Sequence, residues 1–369
     1  MHGRKKSDLP QTKEEKDAVQ AKISNYKKVV GAIRHKRASG EVDAEYKHLL
    51  GKLLRLHTEY YSMWNFRKEA VLQELGRIGD GDGRESALRE VYEEELQLSV
   101  DCIKRHPKSY SAWHHHKWAL VKGFDVLGGR SALAKDLALC STFLELDGRN
   151  FHCWAHRMWV AQAMGLSAEE DFNFTTTMIK QNFSNYSAFH FRSKVLPRMV
   201  EGETGRDRWQ LLSDELDLTH DAMYTEPADQ SVWWYHHFLL TWAEEGVAAS
   251  GGANVERYEN ILRAEASTLE ELIEVEGRCK WAELALLLVT QRLARQLSSM
   301  AGDAGEQGGE AERARETCSG MASRLSELDP MHGRFYEFIE RGGSVWGGAG
   351  KESPLRPTAD VDVVREPSA

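Results

Sequence analysis

Apolar residues recur three to four positions apart in segments of about 13 to 18 residues, and each segment closes on a short polar stretch. RESALREVYEEELQLSVDCIKRHP sets Leu88, Val91, Tyr92, Leu96 and Ile103 on one stripe and stops at Pro107, which suits the start of a new element. ALAKDLALCSTFLELDGRN repeats the plan with Leu133, Leu137, Cys140 and Leu144, and Gly148 is placed to end that helix. EEDFNFTTTMIKQNFSN and WQLLSDELDLTHDAMYTEPAD do the same, and Gln11 to Lys36 predicts a first helix. Between these segments stand dense aromatic and ionisable motifs: YYSMWNFRKE from Tyr60, HPKSYSAWHHHKW from His106, DGRNFHCWAHRMW from Asp147, NFSNYSAFHFRS from Asn182 and DQSVWWYHHFLLTW from Asp229. Aligned, they put Trp64, Trp113, Trp154, Phe189 and Trp233 in one column, with roughly 35 to 50 residues between successive members. The pattern predicts an all-α chain, an alpha-alpha superhelix of stacked antiparallel helical hairpins in which each second helix begins at the motif.

One helical repeat domain is expected over 1–341, with motif copies near 57–75, 106–122, 147–164, 182–199 and 229–243. GVAASGGAN at 246–254 reads as a loop, the Gly-rich, charged stretch 298–316 as a flexible insertion, and 342–369 as a disordered tail.

Composition narrows the function classes. A chain of 369 residues, 41% hydrophobic and 28% charged, can bury a large core. Its net charge of −9 leaves no global basic field for nucleic acid or an anionic membrane, so any anion site must be local. No apolar run approaches the roughly 18 residues of a membrane span. The five cysteines form no CxxC pair and follow no signal peptide, which points to a reducing cytoplasm and no internal zinc module.

The motifs also limit the chemistry. The consecutive histidines of WHHHKW splay about 100° apart on a helix and cannot share a metal ion. His152 and His156 have the spacing of helical zinc ligands, but no Cys, Asp or Glu within the motif completes their set. The core is therefore expected to hold no metal. Large rings at helical spacing are expected to pack between hairpins, and Arg67, Arg157 and Arg192, three residues after the column, to pair with acidic or carbonyl groups. Lys108, Ser109, Arg149, Asn150, Asn182 and Asn185 sit just before the column, where helix N-termini offer N–H groups and partial positive charge to an anion. Capping explains Ser109, Asn182 and Asn185 first. It explains Lys108 and His152 less easily.

PKSYSAWHHHKW, RNFHCWAHRMW and NFSNYSAFHFRSKVLP resemble the repeats of protein prenyltransferase alpha subunits, over about His57 to Ile339 and including the closing LDPMHGRFYEFI. Within that family the Rab geranylgeranyltransferase branch looks closest, through MHGR at the start, RNFHCW, NFSNYS with LP following, and DQSVWWYHH after TEP. The proline-rich leader of farnesyltransferase-type alpha subunits is not found, nor are the immunoglobulin-like and leucine-rich modules of animal Rab-type subunits.

The resemblance implies a crescent-shaped array wrapped around a beta subunit that holds the catalytic zinc and the isoprenoid. The implied reaction moves geranylgeranyl from its diphosphate, with magnesium as a candidate ion, to C-terminal cysteines of Rab GTPases presented by a Rab escort protein. Lys108 and His152 would be catalytic, and Lys108, Tyr110, Asn150 and His152 would bind substrate. Two positions depart from the family pattern: His116 stands for the usual Arg and Phe151 for Tyr. His2 is a candidate autoinhibitory ligand of the partner's zinc. The chain alone is expected to be inactive and to hold no zinc. The alternatives are the alpha subunit shared by farnesyl- and type I geranylgeranyltransferases, and a non-catalytic helical scaffold. A strict period of about 34 residues would mark a tetratricopeptide-like scaffold, and this spacing is irregular.

Overall fold

The computed structural model describes residues 12–201, 205–300, 306–341 and 343. Among them are fifteen α-helices and no strand. The chain divides between Asp171 and Phe172 into two compact units. The first holds α1 (Lys13–Ser39), α2 (Ala44–Leu56), α3 (Tyr61–Arg77), α4 (Arg84–Arg105), α5 (Tyr110–Lys122), α6 (Arg130–Leu146) and α7 (Phe151–Met164). Helix α8 (Ala168–Gln181) runs across the division. The second holds α9 (Tyr186–Glu201), α10 (Arg208–Thr225), α11 (Gln230–Ala249), α12 (Val255–Glu276), α13 (Lys280–Met300), α14 (Glu306–Leu328) and α15 (Gly333–Glu340).

In the first unit α2 packs on α3, α4 on α5 and α6 on α7; α3 then touches α5, and α5 touches α7. Second helices therefore lie side by side, and α2 against α4 begins the layer of first helices. The second unit pairs α10 with α11, α12 with α13 and α13 with α14. Helix starts follow local chemistry. Thr12 and Glu15 form a capping box on α1, and Asp43, Asp207 and Asp229 cap α2, α10 and α11.

Four expectations need correction. Helix α4 has 22 residues, and its buried stripe adds Glu95, Leu98, Ser99 and Cys102 to Val91, Tyr92 and Ile103, with Leu88 and Leu96 only half-buried. Helix α6 ends at Leu146 on Asp147, so Gly148 follows the cap and has no positive φ. The 246–254 loop starts only at Ser250, because Gly246 and Val247 are buried in α11. A Cβ at Gly246 would meet the Arg208 side chain at 2.7 Å, so glycine serves this helical close approach. Finally, helix occupies most of 298–316, through the end of α13 and the start of α14. Ala311 is buried there, in helical register with Cys318, Ala322 and Leu325 further along α14. The tail 342–369, apart from Gly343, and His2 lie outside the described residues.

Candidate functional site

The column residues Trp64, Trp113, Trp154, Phe189 and Trp233 are all buried. Each tryptophan also fastens a turn. Nε1–H donates to the carbonyl six residues earlier, at Thr58, Pro107, Gly148 and Pro227, over 2.7 to 3.0 Å. The ring fills the space between helices while its polar edge satisfies a turn carbonyl that the helix cannot reach.

These turns carry the sequence-predicted polar residues. Ser109 caps α5 by accepting from Ala112 N–H, and Asn185 accepts from Ala188 N–H. Asn182 instead accepts from Ser184 N–H inside its turn. Asn150 is buried, with Oδ1 accepting from His152 and Cys153 N–H while Nδ2 donates to the Pro107 carbonyl at 3.0 Å. It locks the α6–α7 turn onto the α4–α5 turn, a structural role beside the substrate-binding one expected of it.

Lys108, Tyr110 and His152 meet at this joined edge. The Lys108 side chain is 69% exposed, and its Nζ lies 3.9 Å from Asp147. Tyr110 and Phe151 are exposed, and the Tyr110 ring stands edge-on to His152 with centroids 4.2 Å apart. His152 is buried, and its Nε2 finds no partner. Burial holds the His152 pKa below the ordinary imidazole value, against the upward pull of Glu59 and the Lys108 backbone. Its unpartnered Nε2 is the atom placed to donate to an anion when it carries a proton.

Each unit also holds buried carboxylates that motif reading missed. Glu95 receives Arg67 through Nε and a second nitrogen at 2.6 to 3.0 Å, and His115 Nε2 at 3.0 Å. Glu215 likewise receives Arg192 and the Tyr235 hydroxyl, and Asp171 receives Arg157 at 3.2 Å. Glu265 receives His236 at 2.8 Å and His220 at 3.0 Å. The expected pairing of Arg67, Arg157 and Arg192 with acids thus holds.

Asp136 differs, since His116 occupies the arginine position. Its Oδ1 lies 2.7 Å from His116 Nε2 and its Oδ2 lies 2.5 Å from His156 Nε2. The three ligand atoms sit within 4.8 Å of one another, all buried. This corrects the expectation that the core lacks a metal-ligand set. The donors come from three helices, α5, α6 and α7, twenty residues apart in sequence, where local spacing has no view of them. His115 and His116 do turn to different acids, and His152 and His156 do not share a site.

Four segments, 92–122, 133–164, 168–199 and 212–243, match the protein prenyltransferase alpha subunit repeat. The chain is 36% identical to the mouse geranylgeranyl transferase type-2 subunit alpha over 250 residues, 66% of this chain and 42% of that protein. It therefore spans well under half the length of this relative. The Dictyostelium discoideum protein of the same name is 31% identical over 351 residues, covering 92% of this chain and 99% of its own. Among solved structures, a Candida albicans protein geranylgeranyltransferase-I complexed with GGPP superposes with a TM-score of 0.60 at 13% identity, covering 86% of this chain and 90% of that one.

Proposed function

Because the chain belongs to the protein prenyltransferase alpha subunit family, in its geranylgeranyl transferase type-2 branch, we propose that it is the alpha subunit of a heterodimeric Rab geranylgeranyltransferase. The observation that carries the reading is the edge where exposed Lys108 and Tyr110 adjoin His152, whose Nε2 is buried and unpartnered. An exposed ammonium beside an unsatisfied imidazole is a half-site for a phosphate-bearing ligand. The exposed rings of Tyr110 and Phe151 suit the contact face of a partner protein.

In the proposed reaction a sulfur–carbon bond forms at C1 of geranylgeranyl diphosphate as the C1–oxygen bond breaks. Diphosphate leaves with the electron pair. Lys108 Nζ pairs with oxygen atoms on which charge accumulates, and an approaching diphosphate favours a proton on His152 Nε2, making that atom a donor. Tyr110 flanks His152 and offers a hydroxyl at the rim. Phe151 supplies none. Around Lys108 the acidic neighbour is Asp147, with Glu59 acting on His152, and these make no zinc-ligand set. Zinc on the beta subunit would lower the pKa of the acceptor thiol, and magnesium would serve as a diphosphate counter-ion.

Co-expression with candidate beta chains tests the reading. The expected result is a stable heterodimer that prenylates Rab C-terminal cysteines only when a Rab escort protein is present, in the cytoplasmic fraction. Escort-independent transfer to single-cysteine C-terminal peptides would instead assign the alpha subunit shared with farnesyltransferase. A heterodimer without transfer to either substrate would leave the scaffold role.

A further inference from the structure

The Asp136 cluster poses a problem of charge. Three other buried acids face a permanent cation, Glu95 facing Arg67, Asp171 facing Arg157 and Glu215 facing Arg192, while Glu265 faces His220 and His236. At Glu95 the histidine then needs only to be a neutral donor, and His115 Nδ1 is indeed bare. Asp136 has only His116 and His156.

Hydrogen bonding fixes the orientation of His116. Ser99 Oγ lies 2.9 and 2.8 Å from the Glu95 and Leu96 carbonyls, which only accept, so either can take the single hydroxyl proton. With the proton there, the 2.8 Å contact between Ser99 Oγ and His116 Nδ1 is an Nδ1–H donation. In a neutral ring this leaves a lone pair on Nε2 aimed at an Asp136 oxygen 2.7 Å away, which is repulsive. A cation between the two atoms removes the conflict. The Nδ1–H to Ser99 bond is also the outer support that a histidine bound to metal through Nε2 requires. Trp113 and Trp159 stand 5.3 and 5.4 Å from the His156 ring.

We propose that His116 Nε2, His156 Nε2 and an Asp136 oxygen form a buried structural site for a divalent transition metal of the zinc class, joining α5, α6 and α7. Two imidazoles and one carboxylate suit zinc or cobalt, with water completing four-fold coordination. Tetrahedral bonds of about 2.0 Å separate ligand atoms by about 3.3 Å. The metal-free contacts therefore open by about 0.6 to 0.8 Å on binding. The metal takes the place of a proton, which is released.

The test uses the full chain, freed of metal by chelation and confirmed helical by circular dichroism, then titrated with Co²⁺ or Zn²⁺. One Co²⁺ per chain should give the visible bands of a low-symmetry site, and Zn²⁺ should raise the thermal midpoint. Asp136→Asn and His156→Gln should reduce the cobalt band to less than about a tenth of wild type. Either variant could lose the band by misfolding, so His116→Arg is the decisive one. It restores the arginine–carboxylate pair seen at Arg67, Arg157 and Arg192 and should fold, bind no cobalt and melt at the same temperature with Zn²⁺ or chelator. In the heterodimer, wild type should hold one more metal ion than His116→Arg, whatever the partner binds. A folded wild type with no cobalt band and a midpoint indifferent to Zn²⁺, or equal metal content in wild type and His116→Arg, would overturn the proposal.

Discussion

Asn150 shows how little of a side chain's structural role is visible locally. Asparagine ahead of a helix suits a cap, and the Nδ2 bond to the Pro107 carbonyl adds a tie between two turns. That partner lies 43 residues away, beyond any local pattern. Asn150→Ala removes an N-cap and strands a carbonyl, at an expected cost of about 1 to 3 kcal/mol. Urea unfolding should show a lower midpoint. An unchanged midpoint would mean that the fastener carries no net stability. The tryptophan column, by contrast, was plain in the sequence because burial selects large rings at one helical position. Its hydrogen bond was not, although the six-residue interval to a turn carbonyl repeats each time. Trp154→Phe keeps the packing and loses the Nε1 bond, as Phe189 does naturally. A loss of about 1 to 2 kcal/mol is expected, read by the same unfolding curve.

At the scale of helices, the carboxylates follow a rule hidden by the irregular spacing of the column. Glu95, Asp136, Asp171 and Glu215 each stand 18 residues before Trp113, Trp154, Phe189 and Trp233. Length varies between hairpins, while each hairpin keeps one internal register. Tyr46 stands 18 residues before Trp64, and its buried hydroxyl is unpartnered, so the first copy departs from the rule. Periodicity found the helices because apolar stripes are local. It passed over the acids because a charged residue on a buried stripe counts against the pattern unless its partner is known. Glu265 makes the energetics testable. Burial raises its pKa, but the bonds from His220 and His236 outweigh burial and bring it down to about 2. A depressed carboxyl stabilises the fold above its ordinary value near 4.5 and loses that contribution as pH falls towards 2. His220 moves oppositely: burial lowers its pKa, Glu265 more than restores it, and the net value lies above 6.5. Its contribution is present below pH 6.5 and fades as pH rises through the raised value. Glu265→Gln should flatten both limbs of the stability–pH curve. Persistence of both limbs in the variant would place their origin elsewhere.

For the whole molecule, function depends on separating what the edge does for assembly from what it does for chemistry. Lys108 is suited to that separation. It is 69% exposed and its contact with Asp147 is 3.9 Å long, an arrangement whose loss changes stability little. In a chain of net charge −9 it is also a local cation that the overall field does not duplicate. Lys108→Ala should therefore fold and join its beta subunit as wild type does, while Asn150→Ala loses stability first. If Lys108 meets the leaving diphosphate, its removal costs about 1.4 to 4 kcal/mol in the transition state, a ten- to thousandfold slower chemical step. Lys108→Arg should recover part of the rate, because it keeps the charge while changing its reach and geometry. Single-turnover measurement with preformed heterodimer isolates this step from product release, which can limit multiple turnover. A wild-type single-turnover rate in Lys108→Ala would remove Lys108 from the chemistry and leave this edge as a partner contact alone.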